Sequence, residues 1–196
     1  IRVGVTGLGV GTIAAYGRPG DLYRFYDIDA RVIEFAQREF TYLADSAARI
    51  ELALGDARLT LEREAPQRFD VLAVDAFSSD AIPVHLITRE ALGAYLRHVG
   101  ERGIVAFHVS NRFLELVPVV ARLAKENGAH AVLIDDSPED EDDANSRSRT
   151  DWVLVSRDAA ALAHKEIVAA GAQPADDRPE WRTWTDDYSN LIQILK

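Results

Sequence analysis

Short, continuously apolar runs alternate with segments of helical periodicity from the first residue onward, and this alternation constrains the fold most. The runs are Arg2–Val5, Leu22–Asp27, Ile50–Leu54, Val71–Asp75, Gly103–Val109, Ala131–Ile134 and Trp152–Ser156. Neighbouring residues of a strand face opposite sides, so an unbroken apolar run belongs to a strand covered on both faces. Between the runs, Arg31–Leu43 sets Val32, Ile33, Ala36, Phe40 and Leu43 on one helical face. Thr88–Val99 repeats the pattern, with Thr88 as its N-cap, and so does Phe113–Lys125, which stops at Asn127-Gly128. The expected architecture is α/β, a doubly wound, mostly parallel seven-stranded sheet with helices on both faces. A length of 196 residues suits one domain, 1–196.

Composition removes several function classes. The chain has 22 Lys+Arg, 32 Asp+Glu, a net charge of -10 and no cysteine. Disulfide scaffolds, thiolate zinc sites and cysteine nucleophiles are excluded. The acidic balance speaks against nucleic acid and anionic membrane surfaces, and is compatible with a cationic ligand. The five histidines (85, 98, 108, 130, 164) show no close ligand spacing, so no metal is expected. No apolar stretch approaches the ~20 residues of a membrane span, and no signal peptide is visible. A start at Ile1, inside a strand-like run and without Met, suggests a piece of a longer protein. Asp135–Asp143 holds seven acids in nine residues and carries most of the net charge. Such repulsion is expected to make 135–149 a mobile acidic loop.

Four motifs fall at the ends of successive strands. Gly7-Leu8-Gly9-Val10-Gly11-Thr12 follows the first strand and precedes an expected helix; Thr12 stands where a dinucleotide fingerprint has its third glycine. Tyr26-Asp27-Ile28-Asp29 closes the second strand, where an acid can accept both ribose hydroxyls; Asp29 is also well placed to cap the next helix. Gly55-Asp56-Ala57 ends the third, where a carboxylate can accept an adenine amine. Asp75 opens the segment Asp75–Pro83 after the fourth. Ligands of open parallel sheets bind beyond the carboxyl ends of the strands, so Asp27, Asp56 and Asp75 should converge beside the glycine loop. Thr185-Asp186-Asp187-Tyr188 precedes a strand-like Leu191–Leu195, and a tail folded back could bring these acids to the same cleft. His108, with Ser110, Asn111 and Arg112, reads equally as a substrate contact or a hydrogen-bonded strand end. Trp181 and Trp184 read as anchors of the tail.

As a set, Gly7–Gly11, Tyr26–Asp29, Gly55–Ala57 and Phe69–Asp75 resemble the polyamine aminopropyltransferases, the spermidine synthase family. The forms Asp75–Pro83 (DAFSSDAIP), His108–Arg112 (HVSNR) and Thr185–Tyr188 (TDDY) look most like a bacterial branch often fused to membrane-spanning segments. The resemblance implies the Rossmann-like fold of class I S-adenosylmethionine-dependent methyltransferases. It further implies that Gly7, Gly9 and Gly11 line the site of the co-substrate, decarboxylated S-adenosylmethionine. Asp27 would hold the ribose, Asp56 and Ala57 the adenine, and Asp75 would be catalytic. Asp80, Asp186 and Asp187 become candidates for binding the polyamine. The family's loop carries an acid where this chain has Val10, and its small N-terminal β domain is absent from 1–196. The implied partners are a polyamine substrate, a second copy in a homodimer and membrane spans in the full-length protein. The implied location is cytoplasmic, or the cytoplasmic side of a membrane anchor. The alternatives are a methyltransferase using S-adenosylmethionine itself, or a non-catalytic nucleoside- or polyamine-sensing domain.

Overall fold

The computed structural model describes residues 1–76, 83–136 and 150–196. One eight-stranded sheet organises them, in the order β3-β2-β1-β4-β5-β7-β6-β8. Its strands are β1 (Arg2–Thr6), β2 (Leu22–Asp27), β3 (Arg49–Leu54), β4 (Phe69–Val74), β5 (Val99–His108), β6 (His130–Asp136), β7 (Thr150–Ser156) and β8 (Gln173–Pro174). The first seven match the apolar runs. The eighth is a two-residue addition pairing Leu133 with Gln173 at the edge, too short to register as a pattern. Strands β1 to β5 are parallel, while β7 runs antiparallel between β5 and β6.

The strand alternation distributes two cores to the two faces. Val3, Val5, Phe25 and Ala73 point to one side, where α1 (Ala30–Glu39) and α2 (Tyr42–Asp45) cover them with Val32, Ile33, Ala36 and Leu43. Leu72, Val74, Val105 and Phe107 point to the other, beneath α3 (Ala57–Arg63), α4 (Arg89–His98) and α5 (Val117–Glu126). Burying side chains of this size on both faces supplies the main stabilising term.

Four elements differ from their sequence patterns. The helix expected over Arg31–Leu43 breaks at Phe40, whose backbone is extended, and the break turns Leu43 onto Gly11. Helix α5 begins only at Val117, because Pro118 lacks an N–H and fits only the first turn of a helix. Leu114 upstream bridges to Leu195 instead. The last apolar stretch is a 3-10 turn, Ile192–Ile194, rather than a strand. The segment after the glycine loop is likewise a 3-10 turn, Thr12–Tyr16, and not an α-helix. The tail does fold back: Trp184 is buried in the larger core with Trp181 packed against it. Asp135 and Asp136 end β6; the remainder of the acidic stretch, 137–149, lies outside the described residues, as does Asp80. Among the described residues no helix is long and apolar enough to cross a membrane.

Candidate active site at the carboxyl ends of the strands

The chain passes from β1 to β2 on one side and reaches β4 on the other, which opens a crevice beyond the carboxyl end of β1. Register fills that crevice. Thr6 pairs with Tyr26 and with Val74, so Gly7, Asp27 and Asp75 leave the sheet side by side. Asp27 pairs with Leu54, which sets Gly55 and Asp56 next in line. A cavity of about 580 Å³ results, lined by Gly7, Gly9, Asp27, Asp29, Asp56 and Asp75, with apolar walls from Ile28, Val32, Ala57 and Leu86.

The glycine loop is shaped by close approach. Gly7 has φ +91°, and a Cβ there would lie 2.4 Å from the Asp75 carbonyl oxygen. Only glycine meets both conditions. Gly11, at φ +83°, packs under Leu43 and stands outside the cavity lining. Asp27 holds the loop from the other side: one carboxylate oxygen accepts the Leu8 amide at 2.9 Å and the other accepts the Asp29 amide at 2.9 Å. Each oxygen keeps a second lone pair.

Asp29 caps α1, accepting the Arg31 amide and pairing with the Arg31 guanidinium at 2.8 Å. Asp56 caps α3 through the Leu59 amide at 2.8 Å, and its second oxygen meets His85 Nε2 at 2.9 Å. Burial pushes the Asp56 carboxyl up, yet the Leu59 amide and His85 outweigh it and hold the group below the usual carboxylate range. Asp75 is about half exposed and meets His108 Nδ1 at 2.7 Å.

Beyond His85 lies a second cavity of about 520 Å³, lined by Arg58, Thr88, Thr185, Asp186, Asp187 and Tyr188 among others. His85 borders both cavities. Asp187 is exposed there. Asp186 is taken up by Arg58, which grips both its oxygens at 2.7 and 2.6 Å, while the Thr88 hydroxyl donates at 2.8 Å. Arg58 is itself buried and also bonds Glu62 and the His85 carbonyl. The Arg58 hydrogen bonds hold the Asp186 carboxyl below its ordinary value.

This pair makes a prediction. Asp186→Asn should destabilise the fold by about 1–2 kcal/mol at pH 7, in the range of a charge-assisted hydrogen bond discounted for the carboxylate's partial exposure. Because the folded pKa is depressed, that stabilisation is present above the unfolded value near ~4 and disappears as pH falls through the folded value. Urea unfolding at pH 7 and pH 3 should show a gap between wild type and variant that narrows at the lower pH. An unchanged gap would mean that the pair contributes through packing alone.

The sequence motifs thus locate Gly7, Gly9, Asp27, Asp56, Ala57 and Asp75 around one cavity, and Asp186 and Asp187 around its neighbour. They do not single out Arg58 or His85, which become visible only when β3, the segment after Pro83 and the tail come together. The one available signal was a histidine two residues beyond the Asp75–Pro83 segment. Among the described residues no group of three or more His, Asp or Glu side chains is placed to hold a metal ion.

No family model matches the chain. A polyamine aminopropyltransferase of Vibrio vulnificus is 30% identical over 122 residues, covering 57% of this chain and 38% of that protein. This chain therefore spans little more than a third of the curated relative it matches. Among solved structures, a probable spermidine synthase of Corynebacterium glutamicum aligns with a TM-score of 0.66 at 17% identity, over 97% of this chain and 74% of that one. A spermidine synthase in complex with the transition-state analogue AdoDATO aligns at 0.55 and 15% identity, over 95% of this chain and 62% of that one. Human methyltransferase-like protein 13 in complex with SAH aligns at 0.60 and 15%, over 96% and 86%. The fold is that shared by spermidine synthases and class I S-adenosylmethionine-dependent methyltransferases.

Proposed function

We infer that the chain is the catalytic domain of an aminopropyltransferase-like enzyme, moving an aminopropyl group from decarboxylated S-adenosylmethionine to a polyamine such as putrescine. One observation carries the reading. The glycine turn, Asp27, Asp56 and Asp75 bound a single cavity, and that cavity adjoins a second acidic one through His85. A sulfonium nucleoside in the first can then meet an amine entering from the second.

The residues fit such a co-substrate. Apolar walls at Ile28, Val32, Ala57 and Leu86 suit a base, the spare lone pairs of Asp27 suit ribose hydroxyls, and those of Asp56 suit an exocyclic amine. The reaction forms a C–N bond and breaks the C–S bond at the carbon next to the sulfonium. The electron pair returns to sulfur, which leaves as a neutral thioether, so no general acid is required. The acceptor must first lose a proton from an ammonium with an ordinary pKa near ~10. Asp75 orients that ammonium and accepts the proton, directly or through water. Asp187 is the free carboxylate for the far cationic end of the polyamine, since the charge of Asp186 is balanced by Arg58.

A second reading, methyl transfer from S-adenosylmethionine, draws on a recess of about 520 Å³ beside Gly9, lined by Val10, Asp29 and Arg31. Val10 stands there where the family's loop has an acid, and the nearby Arg31 guanidinium is paired with Asp29. Calorimetric titration with decarboxylated S-adenosylmethionine, S-adenosylmethionine and NAD, followed by a transfer assay with putrescine, separates the readings. We expect preferential binding of the decarboxylated compound and formation of spermidine. Methyl transfer, or binding with no transfer at all, would replace the aminopropyl reading by the methyltransferase or the sensing domain. On this reading the chain works in the cytoplasm, or on the cytoplasmic side of a membrane anchor.

A further inference from the structure

The geometry points to His108 as the positioning residue of Asp75, a role that rests on the aminopropyl reading and goes beyond it. In the pairing of β4 with β5, Val74 lies opposite Phe107, so the next residues, Asp75 and His108, leave the sheet together. His108 Nδ1 stands 2.7 Å from one Asp75 oxygen, Oδ1. Its Nε2 stands 2.9 Å from the Ser110 hydroxyl, which in turn accepts the Asp151 amide at 2.6 Å. The ring is stacked on Trp152, directly across the β5–β7 pairing, with centroids 4.9 Å apart and planes 20° apart.

For the neutral ring with an ionised Asp75, one protonation pattern gives each of these contacts a donor and an acceptor. Nδ1–H donates to the carboxylate, the Ser110 hydroxyl donates to Nε2, and the Ser110 oxygen accepts from the Asp151 amide. The acceptor-only carboxylate thereby selects the Nδ1–H tautomer, that N–H fixes Oδ1, and Oδ2 becomes the oxygen that meets the amine. When the acceptor ammonium surrenders its proton, the N–H bond breaks and an O–H bond forms at Oδ2. The carboxyl group passes that proton to solvent while Nδ1–H keeps its hold on Oδ1. His108 touches neither reactant; it acts through Asp75.

The test uses two substitutions with opposite losses. His108→Asn keeps an N–H donor near the Nδ1 position and gives up the aromatic stack. His108→Phe keeps the stack and gives up the donor. We expect His108→Phe to lower kcat by about 10²-fold, the scale set by loss of reacting-group alignment, with KM for decarboxylated S-adenosylmethionine nearly unchanged. His108→Asn should recover most of that loss. Transfer by His108→Phe at the wild-type rate, or equal impairment of both variants, would overturn the inference and leave the aminopropyl reading standing. A wild type that transfers nothing overturns both. Nitrogen-15 NMR of the wild-type imidazole needs no variant to fold: protonation at Nδ1 is expected, and a neutral ring protonated at Nε2 would refute the assignment.

Discussion

Asp75→Asn is expected to lower aminopropyl transfer by about 10²–10⁴-fold, the usual contribution of a positioned proton acceptor, while binding of the nucleoside co-substrate persists. Asparagine preserves the size of the side chain and an oxygen able to accept from His108 Nδ1, so the local geometry at 2.7 Å has no reason to collapse. What disappears is the negative charge that orients an ammonium and the basic site that takes its proton. Initial rates of spermidine formation, set beside calorimetric titration of the same protein, isolate that step. Undiminished transfer by the variant would remove Asp75 from the mechanism, whatever happened to binding.

The second large effect belongs to the backbone. Gly7→Ala should cost about 3 kcal/mol of stability, combining a left-handed conformation that disfavours any Cβ with a contact that the sheet cannot relax. That contact, 2.4 Å, is to the main-chain oxygen of Asp75, not to the end of a flexible side chain. The strain therefore pushes β1 away from β4 at the point where the reacting groups are held. Nucleoside binding should weaken about tenfold or more, equivalent to at least ~1.4 kcal/mol. Gly9→Ala is the comparison: its φ of +55° also disfavours a side chain, but no heavy atom lies within 4 Å of a Cβ built there. Urea unfolding of the two variants should rank them clearly, with Gly9→Ala the milder because it carries the backbone strain without the close contact. Equal behaviour would mean that backbone conformation alone, and not the approach to Asp75, explains the loop.

Much of the site was legible because strand ends are marked locally. An apolar run that stops at an acid, as at Asp27 and Asp75, places that acid at a sheet edge whatever the order of the strands. Caps were equally readable: Thr88 accepts the Ala91 amide and Asp29 the Arg31 amide, because capping depends on residues two or three apart. Helix ends were less so. Phe40 interrupts a periodic helix in order to aim Leu43 at Gly11, a contact between segments 32 residues apart that periodicity does not encode.

The sequence by itself determined that this chain builds an α/β sheet, that its glycine turn and three strand-end acids share one edge, and that the set resembles the spermidine synthases. The tertiary structure alone decided what those acids are bonded to. It gives Asp186 to a buried Arg58, divides Asp56 between a helix cap and His85, and leaves Asp75 facing His108. The physical reason is distance along the chain. A hydrogen bond needs atoms about 3 Å apart, and these partners are brought to that separation only by strand order, register and a folded-back tail. Local sequence carries the first kind of information through propensity and patterning, whereas the second is a property of the assembled sheet.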